Sequence, residues 1–166
     1  YGNQPGTGMA HLFNYAGAPW LTQKWVRKVK AAYSDVTPYG GYRDDEDQGQ
    51  MGALGVLMAI GLFEVDGGCA EKPFYEITSP LFDKVTIHLD NRYYPGKTFQ
   101  IITVGNSADN MYIQRASFNG KKWNKCWFYH EDFIKGGTLE LQLGTTPNKK
   151  WGIEEFPPSS VSSDKD

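Results

Sequence analysis

The chain has 166 residues, enough for one domain with a core of its own, and 40 % apolar against 22 % charged residues is an ordinary globular balance. Seventeen basic and nineteen acidic residues give a net charge of −2, which excludes the basic balance of a nucleic-acid binder and the block charge of an acidic tail. No stretch approaches the roughly eighteen apolar residues of a membrane span, and no basic-then-apolar signal opens the chain.

Tyr1-Gly2-Asn3-Gln4-Pro5 is loop chemistry that starts without a methionine, as expected of a piece of a longer or processed polypeptide. A short helix is expected over Met9–Tyr15, ended by Gly17-Ala18-Pro19. Leu21, Trp25, Val26, Val29 and Ala32 form an apolar stripe at helical spacing, so a helix is predicted over Leu21–Tyr33. Lys24, Arg27, Lys28 and Lys30 fall mostly on its opposite face and read as solvated. A glycine- and tyrosine-rich loop then leads into Arg43-Asp44-Asp45-Glu46-Asp47-Gln48-Gly49-Gln50. Met51–Phe63 is apolar on every side, the pattern of a helix buried all round.

From Phe74 the period changes to two. Strands are predicted over Phe74–Ile77, Val85–Leu89, Phe99–Val104, Met111–Phe118, Lys121–Phe128 and Thr138–Leu143. Asn119-Gly120 marks a two-residue hairpin, and His130–Ile134 reads as a single helical turn stopped by Gly136-Gly137. The fold class is α+β: a helical part over 1–67 with the acidic loop, then a mostly antiparallel β part over 68–152. Residues 153–166, rich in proline and serine, read as a disordered tail. Aromatic residues make up 14 % of the chain; they suit sugar-stacking faces, but packed aromatic strands account for them more simply. Cys69 and Cys126 are too few for a disulfide scaffold, and read as two free thiols or a single bridge.

Four successive acids, Asp44 to Asp47, repel one another at the entrance to an apolar helix. Capping of the helix N-terminus accounts for one or two of them. A cation site accounts for them as well, since hard cations take carboxylate oxygens, but not as an EF-hand: aligning Gly49 to the invariant glycine puts Gly55 where the bidentate Glu belongs. General acid/base work on a sugar is the third reading, because glycoside hydrolysis uses paired carboxylates and crowding raises the pKa of one of them. In an extended segment Asp45 and Asp47 would point the same way. No dinucleotide fingerprint, phosphate loop, zinc cluster or Gly-x-Ser-x-Gly elbow is present. His11, His88 and His130 are scattered and read as structural or solvated, and Cys126 among aromatics reads as packing.

Gly2-Asn3-Gln4-Pro5 and Leu12-Phe13-Asn14-Tyr15-Ala16-Gly17-Ala18-Pro19-Trp20 resemble segments of family 92 glycoside hydrolases, calcium-dependent exo-acting α-mannosidases. Asp45-Glu46-Asp47-Gln48-Gly49-Gln50 resembles that family's Asp-Glu-Asp-x-Gly-Gln motif, followed by its helix and a Gly61-Leu62-Phe63-Glu64-Val65 turn. Ser79–Val85, Gly96–Phe99, Tyr112–Gln114, Asn119-Gly120, His130–Asp132 and Gly136–Leu139 continue the similarity in order, up to about Gly144.

The resemblance implies inverting hydrolysis of terminal α-mannosyl linkages in a mannose-containing glycan, with calcium (Ca2+) binding sugar hydroxyls. By the same resemblance Asp47 is the general base with Asp45 supporting it, and Asn3 and Gln4 are calcium ligands. Gln4 stands where many members have Glu, and a neutral amide oxygen holds calcium more weakly than a carboxylate. The family's general acid lies upstream of the Gly-Asn-Glu-Pro segment, and none of Glu64, Glu71, Glu76 and Glu131 matches it. The expected partner is therefore the upstream portion of the same enzyme, a β-sandwich and the rest of an α/α barrel, without which this chain is expected to be inactive. The family is largely bacterial and exported, which implies a periplasmic or extracellular location. The alternative is a non-catalytic carbohydrate-binding or structural accessory domain whose acids only cap a helix.

Overall fold

The computed structural model describes residues 6–33, 35–37, 41 and 46–159. The chain opens with a 3-10 turn, Gly6–His11, that runs into the short helix α1, Leu12–Tyr15. The expected single helix over Met9–Tyr15 is thus divided, the tighter 3-10 form over Met9–His11 and α-helix over Leu12–Tyr15, with the 3-10 turn starting further upstream among glycines 6 and 8. Pro19 opens α2, Pro19–Ala32, at a position where its missing N–H costs nothing. This helix buries Val26 but is fastened largely by polar groups: Thr22 Oγ1 donates to Ala10 O at 2.8 Å, and Gln23 Oε1 accepts from the Ile113 N–H at 2.9 Å. Arg27, expected on the solvated face, is buried instead; its Nε donates to Ser79 O at 3.1 Å and to Ser79 Oγ at 3.0 Å. Burial lowers the guanidinium pKa to about 10.

Helix α3, Gln50–Ile60, ends at Gly61, which takes the left-handed conformation of a helix C-terminus. It buries Met51, Leu54 and Met58 on one side, together with Val26 and Phe63. It is not buried all round as its composition suggested: Val56 is 60 % exposed.

Beyond α3 the chain builds two sheets. Strands β1 (Leu62–Phe63), β2 (Phe74–Ile77) and β7 (Trp127–Tyr129) form an antiparallel set in the order β1-β2-β7. Strands β3 (Lys84–His88), β4 (Thr98–Val104), β5 (Tyr112–Phe118), β6 (Lys121–Lys122) and β8 (Gly137–Gly144) form the second, in the order β3-β4-β8-β5-β6. All its pairs are antiparallel except β4–β8. The expected strand Lys121–Phe128 is therefore two strands, one in each sheet, and the sheet region is mixed. Helix α4, His130–Phe133, is the single turn expected there. The α+β class stands.

Both sheets contribute to one core: Phe74, Ile77 and Phe128 from the first meet Phe99, Ile113, Leu139 and Leu141 from the second. Aromatic rings fill it, Phe99 lying 5.6 Å from Phe128 and 4.8 Å from Phe133 between centroids. Most of the aromatic richness is thus structural. Both cysteines are free; Cys126 is buried within this core and Cys69 is exposed. Residues 153–159, expected to be disordered, are instead anchored. Trp127 Nε1 donates to Glu155 O at 3.2 Å, Asn124 Nδ2 donates to Glu154 Oε1 at 2.6 Å, and Lys125 pairs with Glu155 at 2.6 Å. No helix among the described residues is long and apolar enough to cross a membrane.

Candidate active site

The acidic segment reaches α3 through a tight turn. Glu46 works as the cap: its side chain accepts the N–H of Gly49 through one oxygen and that of Gly52 through the other, the latter at 3.0 Å. Those are donors a helix start leaves unpaired, so one of the four acids is explained by the helix alone. Asp47 is different. It and Gln48 stand at φ 57° and 60°, a left-handed conformation disfavoured for side-chain-bearing residues. The Asp47 main chain closes the turn by accepting the Gln50 N–H at 3.2 Å. Its side chain takes no part in the cap, and Oδ2 is buried with no hydrogen-bond partner among the described residues. A buried polar atom left open forgoes a free energy of about 1–3 kcal/mol, and among the described residues Asp47 Oδ2 shares that state with His11 Nε2, Asn14 Oδ1, Glu76 Oε1 and Thr78 Oγ1.

With Asp47 in a turn, the extended arrangement that would have aligned it with Asp45 does not hold at this residue. Asp45, Asn3 and Gln4 lie outside the described residues. Among the described residues no group of three or more His, Cys, Asp or Glu side chains could hold a metal ion.

The segment that follows Asn3 and Gln4 is held by a buried polar cluster that the sequence did not reveal. Glu76 on β2 has no exposed surface, and its Oε2 lies 2.8 Å from His11 Nδ1 and accepts from Asn14 Nδ2 at 2.6 Å. Burial, and then the charge of Glu76, raise the Tyr15 hydroxyl well above its usual pKa. His11 stacks on Phe63, with centroids 3.8 Å apart. His11, Asn14 and Tyr15 are spaced i, i+3, i+4, so they lie on one helical face. That polar face was the available signal; its partner, some sixty residues away, had none. His11 is thus structural as expected, and His130 is satisfied by the Tyr75 hydroxyl at 2.9 Å.

The glycosyl hydrolase family 92 catalytic domain matches residues 1–145 of this chain. The chain belongs to glycoside hydrolase family 92. An uncharacterized secreted glycosidase of Arthroderma benhamiae is 36 % identical over 163 residues, 95 % of this chain and 20 % of that protein. Among solved structures, a family 92 α-mannosidase from Bacteroides thetaiotaomicron superposes with a TM-score of 0.84 at 30 % identity, over 96 % of this chain and 21 % of its own. A family 92 inverting mannosidase from the same bacterium gives the same TM-score and the same coverage at 37 % identity. The chain therefore spans about one fifth of the length of these family 92 relatives.

Proposed function

We propose that this chain is the C-terminal part of an inverting, calcium-dependent exo-α-mannosidase and carries the general-base half of its site. The observation that carries this reading is the buried Oδ2 of Asp47, without a hydrogen-bond partner among the described residues, within the family's acidic motif. An inverting glycosidase needs one carboxylate to take a proton from water on the face opposite the leaving group. Such a base needs a free acceptor oxygen held in place. Asp47 offers one on a turn fixed by the Glu46 cap. Asp45 supports it from two residues upstream.

Asn3 and Gln4 offer amide oxygens, which suit a hard cation, and they precede the 3-10 turn that Glu76 anchors. Calcium bound there would hold sugar hydroxyls and help distort the ring. The remaining ligands and the general acid come from the rest of the enzyme. The substrate class, mannose-containing glycans, is supported by the related Bacteroides enzyme, whose structure is also solved in complex with mannoimidazole. A secreted location is supported by the fungal relative's description.

In the native-length enzyme, Asp47→Asn is expected to lower kcat by about 10²–10⁴-fold while the melting temperature holds. Mannose release within a few-fold of the parent enzyme would overturn the assignment of the base.

A further inference from the structure

The outer face of the five-stranded sheet carries a groove of about 730 Å³, lined mostly by polar residue types and floored by β5 and β8, with residues 148–154 as a wall. Its floor depends on an irregularity. Between Ile113 and Arg115 the β5–β8 register shifts by one residue, and Ile113 and Ala116 are both buried. Simple alternation would put Arg115 on the core side with Ile113. The bulge instead places Gln114 and Arg115 consecutively on the outer face, and bulges of this kind re-aim side chains beside binding sites.

The lining side chains are tied at one atom and open at another. Arg115 Nε donates to Gln142 Oε1 at 2.6 Å, leaving the guanidinium's terminal nitrogens and the Gln142 amide nitrogen with no further partner among the described residues. Asn124 Nδ2 is committed to Glu154 Oε1, which leaves Asn124 Oδ1 and the second Glu154 oxygen. Lys122 and Glu140 flank Ser117 on the neighbouring strands, and neither belongs to an ion pair among the described residues.

We propose that this groove is a second, non-catalytic glycan site that takes a neutral mannose-containing oligosaccharide. Sugar hydroxyls donate and accept at once, and the groove interleaves donors with acceptors, two pairs of which, Arg115–Gln142 and Asn124–Glu154, are already tied by hydrogen bonds. The cations Arg115, Lys122 and Lys150 are interleaved with Glu140 and Glu154, a mixed lining that favours no single charge as strongly as a neutral polyhydroxyl ligand, and an apolar ligand would strip water from charges without replacing it. Every lining residue falls between Gln114 and Glu154, so the groove shares no side chain with the Asp47 turn. The groove rests on its own geometry; only the identity of the sugar rests on the mannosidase reading.

The test is an amide chemical-shift titration of the native-length enzyme, isotope-labelled in these 166 residues, with a thio-linked, non-hydrolysable α-mannotriose. Saturable shifts are expected at residues 114–117 and 140–142 with a Kd of about 1 mM. They should persist in Asp47→Ala and weaken about tenfold in Arg115→Ala and in Gln142→Ala. If either variant fails to fold, Lys122→Ala on the exposed edge strand carries the same comparison. Shifts confined to the start of α3 would support the mannosidase and overturn the groove. No shift up to about 50 mM mannotriose would overturn the proposal and mark the groove as a seat for other protein. Tighter binding of inorganic phosphate would overturn the neutral-sugar class. Shifts with a gluco-configured trisaccharide alone would overturn the assignment of mannose while leaving a sugar site in place.

Discussion

Glu76 places a carboxylate where no water reaches, and one of its oxygens takes both His11 and Asn14. Removing one member of such a buried group strands the others, at a cost of about 3–5 kcal/mol. Glu76→Ala is therefore expected to lose about that much stability, read from urea unfolding, while Glu76→Gln, which keeps shape and an acceptor, loses less. A loss under about 1 kcal/mol for the alanine variant would show that the cluster does not hold the 3-10 turn to β2. Cys126 sits nearby; burial, and then the charge of Glu76, push its thiol up from 9.0 to about 12. The unfolded thiol ionises near 9 and the folded one does not, so this contribution is complete below pH 9 and is lost as pH rises towards 12. Stability should fall above pH 9 by up to about 1.4 kcal/mol per pH unit, and Cys126→Ala should flatten that decline. An unchanged slope in the variant would assign the alkaline loss elsewhere, to the Tyr15 and Tyr75 hydroxyls, which burial also raises. At this scale the acidic motif was legible because four like charges in a row need a reason. Glu76 was not, because an isolated acid in a strand looks like any solvent-facing residue until its partners arrive from far along the chain.

Among the elements, those with local causes were the ones the sequence made plain. Pro19 at the head of α2 and the Asn119-Gly120 hairpin, at φ 50° and 76°, are each specified within a few residues. Composition misled where burial depends on distant neighbours: Arg27 is drawn inward by Ser79, and Val56 is left bare on a helix that looked buried throughout. The run Lys121–Phe128 misled for another reason, since the chain leaves one sheet and joins the other without losing its strand-like composition. The junction from α3 to β1 is specified tightly. Gly61 stands at φ 80°, and a Cβ there would lie 2.6 Å from Pro80 Cγ and 2.9 Å from Pro80 N. Gly61→Ala is expected to cost about 2–4 kcal/mol, combining the left-handed penalty with overpacking. Gly49→Ala, also at positive φ but with open space around it, should cost less. Equal losses in a thermal-unfolding comparison would mean that contact with Pro80 contributes nothing.

For the molecule as a whole, the class, the order of elements and the family were readable, whereas the second core cluster and the division into two sheets were not. Periodicity reports which face of a strand is apolar but not which strand lies beside it. The candidate site was readable only in part: Asp47, the proposed base, lies in a local motif, whereas the buried Glu76 cluster is assembled from distant stretches of the chain. The 166 residues span about one fifth of their relatives' length, and on the proposed reading the general acid comes from the rest of the enzyme. Mannobiose hydrolysis by this chain alone is therefore expected to lack the 10²–10⁴-fold that acid catalysis typically contributes, and to be indistinguishable from buffer. Turnover abolished by Asp47→Ala would show that the chain holds an acid of its own.

The strand order β3-β4-β8-β5-β6 has a consequence for how the chain is made. β8, the last of these five strands to leave the ribosome, is the one that belongs in the middle. Until it arrives, the pairs β3–β4 and β5–β6 each present an open edge with Phe99, Ile101, Ile113 and Phe118 uncovered, and nothing else in the sheet can bridge them. Synthesis must therefore carry two half-built, adhesive hairpins up to Leu143, and the final strand acts as the keystone that joins them and closes both edges at once.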